Sequence, residues 1–154
     1  PVAAFGRFRA FRDFPGHGRE VLALHEALAD AGLGVGDIDY ISAHGTGTAE
    51  NDSIETKVVK AVFGDHARKL AISSTKSMIG HGLGAAGALE TIAAIQSIKE
   101  GFIHPTLNLE NQDPECDIHV VGKEGIEHKV HRALINNFGF GGHNGVLAIQ
   151  SFTE

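Results

Sequence analysis

The apolar positions of this chain fall into runs with helical spacing and into shorter runs typical of strands. Apolar side chains recur at helical spacing after residue 20 and again after residue 52, and the two runs end at Gly32 and Gly64. Glycine in these places is typical of the cap that ends a helix. The sequence predicts two amphipathic helices, the second capped by Asp52 with Glu55 reaching back to it.

A third run, 84–100, is apolar or small at almost every position until its end, and Gly101 stops it. A helix that is apolar all round is normally buried, and small residues let its neighbours pack closely. Glu90 is the exception inside this run. Buried carboxylates are normally paired, so we expect Lys76 or a bound cation beside it. The alternative is that Glu90 lies on a narrow exposed strip of the helix.

Shorter apolar segments predict five strands, at 38–43, 70–74, 118–121, 132–137 and 144–151. We expect 118–121 to lie at a sheet edge and the last two strands to be adjacent to each other. Strands that alternate with helices favour a three-layer α/β domain. We expect this domain to cover 20–154. Residues 1–19 are expected to be an irregular segment with at most a short strand.

Composition and charge exclude several classes of function. A chain of 154 residues, 42% of them hydrophobic, suits one globular core. Its formal net charge of −6 argues against a nucleic-acid binder. No run of about 18 apolar residues predicts a membrane span. The single cysteine, Cys116, allows no intrachain disulfide, which fits the cytoplasm or an organelle stroma or matrix. A start at Pro1 without Met suggests a fragment or processed product.

Three predicted strands run into polar or glycine-rich loops, at 44–48 (His-Gly-Thr-Gly-Thr), 74–81 and 138–142 (Phe-Gly-Phe-Gly-Gly). Open α/β sheets bind ligands at the carboxyl ends of their strands, so these loops predict one converging site. A lone histidine such as His44 is often only a structural partner of a turn. The glycines and hydroxyls that follow it favour a ligand site instead.

Lys76 and His81 lie five residues apart in the second loop. A cation beside an imidazole disfavours the protonated ring, so we expect His81 to be neutral near pH 7 and to donate from one nitrogen. Such a donor suits polarisation of a carbonyl group. The glycines of 138–142 leave backbone N–H groups open between two aromatics, which suits half of an oxyanion hole.

From about residue 15 to 152, the chain resembles the C-terminal half of a β-ketoacyl-acyl carrier protein synthase, a condensing enzyme of the thiolase-like superfamily. The resemblance rests on three segments in order: 44–52, 74–87 and 137–144. The first thirteen residues match nothing in that family, and Asn137 stands where many members carry Ser. The resemblance implies a mixed sheet with helices on both faces, normally paired with a similar N-terminal half.

The resemblance also implies the catalytic residues of a decarboxylative Claisen condensation between malonyl-acyl carrier protein and an acyl thioester. His44 and His81 would hydrogen-bond the malonyl thioester carbonyl and stabilise the enolate formed on decarboxylation. Lys76 would set the electrostatics around His81, and Glu90 would support Lys76 or its loop. The backbone N–H of Phe140 would supply one oxyanion donor.

The substrate-binding residues implied by the resemblance lie in the first and third loops. Thr46 and Thr48 would hydrogen-bond the phosphopantetheine arm. Phe138 would gate the acyl pocket, with Gly139 and Gly141 beside it.

The resemblance implies no tightly bound cofactor and no metal, because the substrate arrives on the phosphopantetheine of acyl carrier protein. The other expected partners are the N-terminal half, in the same or a separate chain, and a second copy in a homodimer, with no nucleic acid and no membrane span. The nucleophilic cysteine of the family belongs to the N-terminal half. Cys116 lies among acidic residues, which raise a thiol pKa, so we interpret it as structural.

Three alternatives stay open. The chain could be a non-catalytic partner subunit that resembles a chain-length factor, although two converging histidines argue against it. A metal-dependent hydrolase has only the histidine count in its favour, because no HxH or HExxH spacing occurs. A thiolase would need a second cysteine near the third loop, and 138–144 has none. We expect the chain alone to be inactive, with helix 84–100 normally covered by the other half.

Overall fold

The fold alternates strands and helices, as the sequence predicts. The computed structural model describes residues 2–8 and 17–152. In chain order these residues form β1 (Val2–Phe8), α1 (Gly18–Ala31), β2 (Tyr40–Ser42), α2 (Ala49–Phe63), β3 (Ala71–Ser73), α3 (Lys76–Ile79), α4 (Ala86–Glu100), β4 (Phe102–Ile103), β5 (Ile126–Glu127), β6 (Arg132–Gly139) and β7 (His143–Ser151).

One mixed sheet of five strands, in the order β1-β7-β6-β2-β3, organises these elements. The pairs β1/β7 and β7/β6 are antiparallel, whereas β6/β2 and β2/β3 are parallel. In this register Ser42 lies between Ile135 and Ser73. The carboxyl ends of β2, β3 and β6 therefore meet at one edge of the sheet, where the three polar loops begin.

Successive strand residues face opposite sides of the sheet, and each side has its own core. Ile41, Ile72 and Leu134 belong to the core that includes buried residues of α1 and α2. Tyr40 and Ala133 belong to the core on the opposite side, which includes Ala94 of α4. The structure confirms a three-layer domain with helices on both faces of a mixed sheet.

The predicted amphipathic helices are present, but the start of the second was wrong. Gly32 caps α1 in the left-handed region at φ 66°, as predicted. Helix α2 begins at Ala49, and Thr48, not Asp52, is its N-cap. The Thr48 side chain accepts the backbone N–H of Asn51 at 3.3 Å. The backbone of Thr48 is extended, at φ −104° and ψ 140°, so that its hydroxyl can reach the first turn of the helix. The helix therefore begins about one turn earlier than predicted.

Among the described residues, helix α4 is covered on one face only. Its buried residues, among them Glu90 and Ala94, face the sheet. Leu83 in the turn before the helix is 78% exposed, and Leu89 and Ile92 on the helix are 40% and 58% exposed. The sheet offers α4 only one surface, and the exposed apolar side chains agree with the expectation that part of this helix is left uncovered when the chain is alone.

The structure corrects the sequence analysis at both edges of the fold. Val2–Phe8 is a regular strand paired with β7, and α1 already starts at Gly18, so 1–19 is not irregular throughout. Residues 9–16 of that segment lie outside the described residues. The expected strand 118–121 is reduced to one parallel bridge between Val120 and Ile72. The short elements α3, β4 and β5 were missed, since two to four residues carry no readable periodicity.

Candidate active site

Two histidines and an aromatic ring meet where β2, β3 and β6 end. His44 follows β2, His81 follows α3, and Phe138 lies near the end of β6. The rings of His44 and His81 are edge to face, with centroids 5.6 Å apart. The Phe138 ring centroid is 5.9 Å from that of His44. The fold thus brings together residues 37 and 94 positions apart in the sequence, as the strand-end argument predicts.

His44 is buried in surroundings that disfavour its charged form. Only 8% of the residue is exposed. Burial lowers the pKa of His44 to about 4, and the positive charges of Lys76 and His81 act in the same direction. Its Nδ1 atom is buried and has no hydrogen-bond partner within the described residues. His44 is therefore a neutral imidazole near pH 7, and its Nδ1 atom is not hydrogen-bonded by the described residues.

His81 is exposed and is oriented by the backbone beside it. Its Nδ1 atom accepts the N–H of Leu83 at 3.1 Å. A neutral ring bonded in this way carries its proton on Nε2 and can donate from there. Leu83 has φ +50°, in the left-handed region that costs a residue other than glycine about 1–2 kcal/mol. Strain of this kind concentrates at functional sites.

Lys76 and Glu90 form a buried ion pair, which confirms the predicted partner of Glu90. The lysine amine contacts Oε1 of Glu90, and the two side chains are 5% and 1% exposed. Asn137 donates from Nδ2 to the other carboxylate oxygen at 2.6 Å. An exposed position for Glu90 is thereby excluded. The influence of Lys76 was predicted at His81, and the structure shows it at His44, whose pKa it lowers.

Glu55 supports the His44 loop, a role that the sequence analysis missed. Its Oε1 accepts the N–H of His44 at 2.9 Å and the amide of Asn136 at 3.1 Å. Its Oε2 accepts the N–H of Gly45 at 2.9 Å and the amide of Asn51 at 3.4 Å. Burial raises the pKa of Glu55, and these four donors lower it.

A sequence signal for Glu55 did exist. The carboxylate shares the buried face of α2 with Val58, Val59 and Val62, which lie three, four and seven residues further on. A charge on the apolar face of a helix needs partners in the core. Our sequence analysis assigned Glu55 to a capping box instead.

Gly45 is required by the close approach of the loops after β2 and β3. Its φ is +42°, and a Cβ atom there would lie 2.6 Å from Cβ of Ser74. The Ser74 hydroxyl donates to the Gly45 carbonyl at 2.6 Å. This contact fixes the two loops that carry His44 and Lys76 against each other.

The two threonines of the first loop lie outside the histidine cluster. Their hydroxyls are 3.1 Å apart, Thr46 is half-buried, and Thr48 is exposed. Thr48 also caps α2. The contact of both hydroxyls with a long substrate arm stays a prediction.

The third loop presents an open backbone. Phe140 is fully exposed at the start of a short 3-10 turn, and Gly141 within that turn has φ 74°. A Cβ atom at Gly139 would lie 2.8 Å from the carbonyl oxygen of His143. Phe138, in contrast, packs beside His44 and the core. The oxyanion role of Phe140 and the gating role of Phe138 stay predictions.

Cys116 is half-buried in the loop after Pro114. Burial raises the pKa of its thiol, and the charges of Asp52, Asp113 and Glu115 add to this. The predicted direction is confirmed, and burial is the larger cause. Such a thiol is a poor nucleophile near pH 7.

Within 2–8 and 17–152 no group of three or more His, Cys, Asp or Glu side chains could hold a metal ion. Among the helices of the same residues, none is long and apolar enough to cross a membrane.

The fold recurs in solved ketosynthases, which places this domain in the thiolase-like class. One matching chain belongs to a solved complex described as a type II polyketide synthase acyl-carrier protein in complex with its ketosynthase bound to the hexaketide. It superimposes on this chain with a TM-score of 0.86 at 34% identity. The match covers 99% of this chain and 38% of that chain.

Proteins of similar sequence include a nodulation protein and a 3-oxoacyl-acyl-carrier-protein synthase. The chain is 53% identical over 128 residues to Nodulation protein E of Rhizobium sp. (strain N33), covering 83% of this chain and 32% of that protein. It is 50% identical over 127 residues to 3-oxoacyl-acyl-carrier-protein synthase 2 of Coxiella burnetii, covering 82% and 31%. The chain thus spans about a third of the length of these relatives.

Residues 4–110 match the family described as Beta-ketoacyl synthase, C-terminal domain. This match covers more than half of the chain, so the chain belongs to that family, and the resemblance seen in the sequence is confirmed. The match also corrects one expectation, because it begins well inside the first thirteen residues.

Proposed function

We propose that this chain supplies the decarboxylation half-site of a β-ketoacyl-acyl carrier protein synthase. The observation that carries the proposal is the pair of imidazoles at one sheet edge, 5.6 Å between ring centroids. One of them is held neutral by burial and by Lys76, and the other has its Nδ1 engaged by the backbone. Two such N–H donors suit one carbonyl oxygen.

The reaction begins with a malonyl thioester whose carbonyl oxygen accepts hydrogen bonds from His44 and His81. The bond between the methylene carbon and the carboxylate breaks, CO₂ leaves, and the electron pair moves into an enolate whose negative oxygen is held by the same two donors. Because His44 is neutral, it stabilises the enolate oxygen by donating a hydrogen bond and keeps its proton. Lys76 disfavours its protonation and adds positive potential near the enolate, and Glu90 fixes Lys76.

The enolate carbon then attacks the carbonyl of a second, acyl thioester. A carbon–carbon bond forms, and the oxyanion of the tetrahedral intermediate accepts the backbone N–H of Phe140. Collapse of that intermediate expels the thiolate that carried the acyl group. We assign that thiolate to a cysteine outside this chain, because the Cys116 pKa is raised by burial. Expressed alone, the chain should not condense, and its exposed apolar face on α4 should bind a hydrophobic dye or drive self-association.

Acyl carrier protein is the proposed carrier of the malonyl group. Its phosphopantetheine arm would pass Thr46 and Thr48, and Phe138 would gate the acyl pocket. The solved complex of an acyl-carrier protein with its ketosynthase supports this partner, since a chain of that complex has the same fold. We propose no tightly bound cofactor, and a homodimer of the complete synthase.

The test is CO₂ release from a malonyl thioester by the intact protein and its variants. His44→Ala and His81→Ala should each lower kcat by about 10²-fold or more, the size expected for one lost oxyanion donor. His119→Ala, on an exposed histidine outside the cluster, is the control and should retain activity. Undiminished decarboxylation in both His44→Ala and His81→Ala would refute the proposal and favour a non-catalytic partner subunit resembling a chain-length factor.

A further inference from the structure

His104 completes a polar cluster next to the loop that carries Lys76. Its Nε2 atom lies 3.0 Å from the Thr75 hydroxyl and 3.3 Å from that of Tyr40, which is also 2.9 Å from the Ser73 hydroxyl. The three hydroxyl-bearing residues are at most 3% exposed. An imidazole on the segment after β4 therefore meets three buried hydroxyls, on β2, on β3 and on the loop after β3.

The contacts of His104 define which of its nitrogens carries the proton. Its Nδ1 atom lies 3.0 Å from the backbone carbonyl of Pro105, which can only accept a hydrogen bond. A neutral ring bonded in this way carries its proton on Nδ1, and Nε2 accepts the O–H of Thr75. Burial raises the pKa of Tyr40 to about 12, so its phenol keeps its proton and can donate within the same cluster. His104 is thus an acceptor toward the Thr75 loop.

Thr75 precedes α3 but does not cap it. The residue stands at the N-cap position, its backbone is helical at φ −59° and ψ −31°, and its side chain makes no capping bond. Its hydroxyl is directed to His104 instead. Helix α3 has only four residues, too few to be stable through its own hydrogen bonds. Lys76, its first residue, therefore depends on outside contacts for its position.

The rest of the segment 104–107 binds the same loop. Thr106 accepts the backbone N–H of Ser74 on Oγ1 at 3.1 Å. The backbone N–H of Leu107 donates to the Ser77 hydroxyl at 2.9 Å. The segment therefore contacts the loop on both sides of its lysine.

We propose that His104 is a positioning residue that holds the start of α3 through Thr75, so that Lys76 meets Glu90 in the active site. This inference rests on the proposed function, since it concerns the lysine of the same site. Such a residue needs no contact with the substrate, because about 1 Å of misplacement caused by a distant substitution can cost about 10²-fold in rate.

Paired substitutions remove or keep each partner of this contact. His104→Leu and Thr75→Val each remove one partner at similar size, whereas His104→Gln keeps an acceptor and Thr75→Ser keeps the hydroxyl. In the intact protein, kcat for malonyl thioester decarboxylation should fall about tenfold in the first two variants. KM should change little, because the predicted contacts with the substrate arm lie in the first loop. The glutamine and serine variants should regain most of the lost rate.

A double variant and a distant histidine separate positioning from a general loss of stability. In His104→Leu/Thr75→Val, kcat should fall no further than in either single variant, because the two residues act through one contact. The control, His66→Leu, removes another half-buried histidine, which lies 2.9 Å from the Ile38 carbonyl. Ile38 precedes β2, whereas His44 follows it, so this control should keep kcat.

Amide hydrogen exchange gives a readout that does not depend on catalysis. The N–H groups of Ile79 and Gly80 close α3, and their exchange should be about tenfold faster in His104→Leu and unchanged in His66→Leu. A wild-type kcat in His104→Leu, or losses that multiply in the double variant, would overturn the inference. Thr75→Val gives the same test if His104→Leu does not fold.

The two proposals fail in distinguishable ways. If the wild-type protein releases no CO₂, the proposed function fails, and amide exchange alone decides whether His104 holds α3. Unchanged exchange at Ile79 and Gly80 in both His104→Leu and Thr75→Val would then overturn the positioning role as well.

Discussion

Removing the charge of Glu90 tests the electrostatic core of the site. In Glu90→Gln the shape is kept and the amide oxygen can still accept from Asn137, but Lys76 stays charged and loses its counter-ion. Both side chains of the pair are at most 5% exposed. Breaking a buried pair by removing one partner costs about 3–5 kcal/mol, because the remaining charge has no compensation.

Urea unfolding followed by circular dichroism gives the measurement. With m at most about 3 kcal/mol per M, a loss of about 3 kcal/mol lowers the midpoint by at least about 1 M. Lys76→Met should cost a similar amount. The double variant Lys76→Met/Glu90→Gln should regain at least half of the summed loss, because neither charge is then left unpaired.

The exposed pair between Lys60 and Asp117 is the matched control. Its side chains are 49% and 57% exposed, so Lys60→Met should not shift the midpoint measurably. A Glu90→Gln midpoint equal to that of wild type would refute the buried-pair argument. Strictly additive losses in the double variant would show that the two residues are not coupled.

Three further substitutions probe the His44 loop. His44 has a pKa of about 4 in the fold against 6.5 in a free side chain, so the unfolded state binds more protons between these values. Stability should fall by up to about 3 kcal/mol as the pH drops from 6.5 to 4, and His44→Gln should remove this component in paired urea titrations. Glu55→Ala leaves four N–H donors without this acceptor and should lower the free energy of unfolding by about 3 kcal/mol or more. The control, Glu50→Ala on the exposed first turn of α2, should lower it by about 1 kcal/mol at most. Equal urea midpoints for the two variants would contradict the assigned role of Glu55. In Gly45→Ala the new Cβ atom clashes with Ser74. In Gly47→Ala the new Cβ atom meets nothing within 4 Å, so only backbone strain of about 1–2 kcal/mol is expected. Gly45→Ala should therefore be the less stable of the two proteins in thermal unfolding.

Much of the layout follows from local pattern. Gly32 ended its helix as predicted, and the strands that carry the polar loops were found because each short apolar-rich segment runs into a polar or glycine-rich loop. The Lys76–Glu90 pair was also predictable, since an isolated carboxylate in an apolar helix requires a partner. The convergence of His44 and His81 followed from a rule about strand ends and not from their spacing in the sequence.

The parts that failed depend on contacts between distant segments. Glu55 was assigned to a cap because Asp52 and Glu55 have capping-box spacing, and only the fold shows Asn136 and the His44 loop meeting its carboxylate. The hydrogen bond from Asn137 to Glu90 requires β6 and α4 to pack together, which no local pattern fixes. Strand β1, for which the sequence indicated at most a short strand, is defined by its pairing with β7 from the opposite end of the chain.

The central claim is that His44 and His81 donate to the same carbonyl oxygen. The most direct measurement is ¹⁵N NMR of both imidazoles in the intact protein, before and after saturation with a malonyl thioester analogue that cannot lose CO₂. We expect one ring N–H resonance of His44 and the Nε2–H resonance of His81 to shift together, with the same dependence on ligand concentration. A ligand that binds and leaves either histidine unchanged would contradict it.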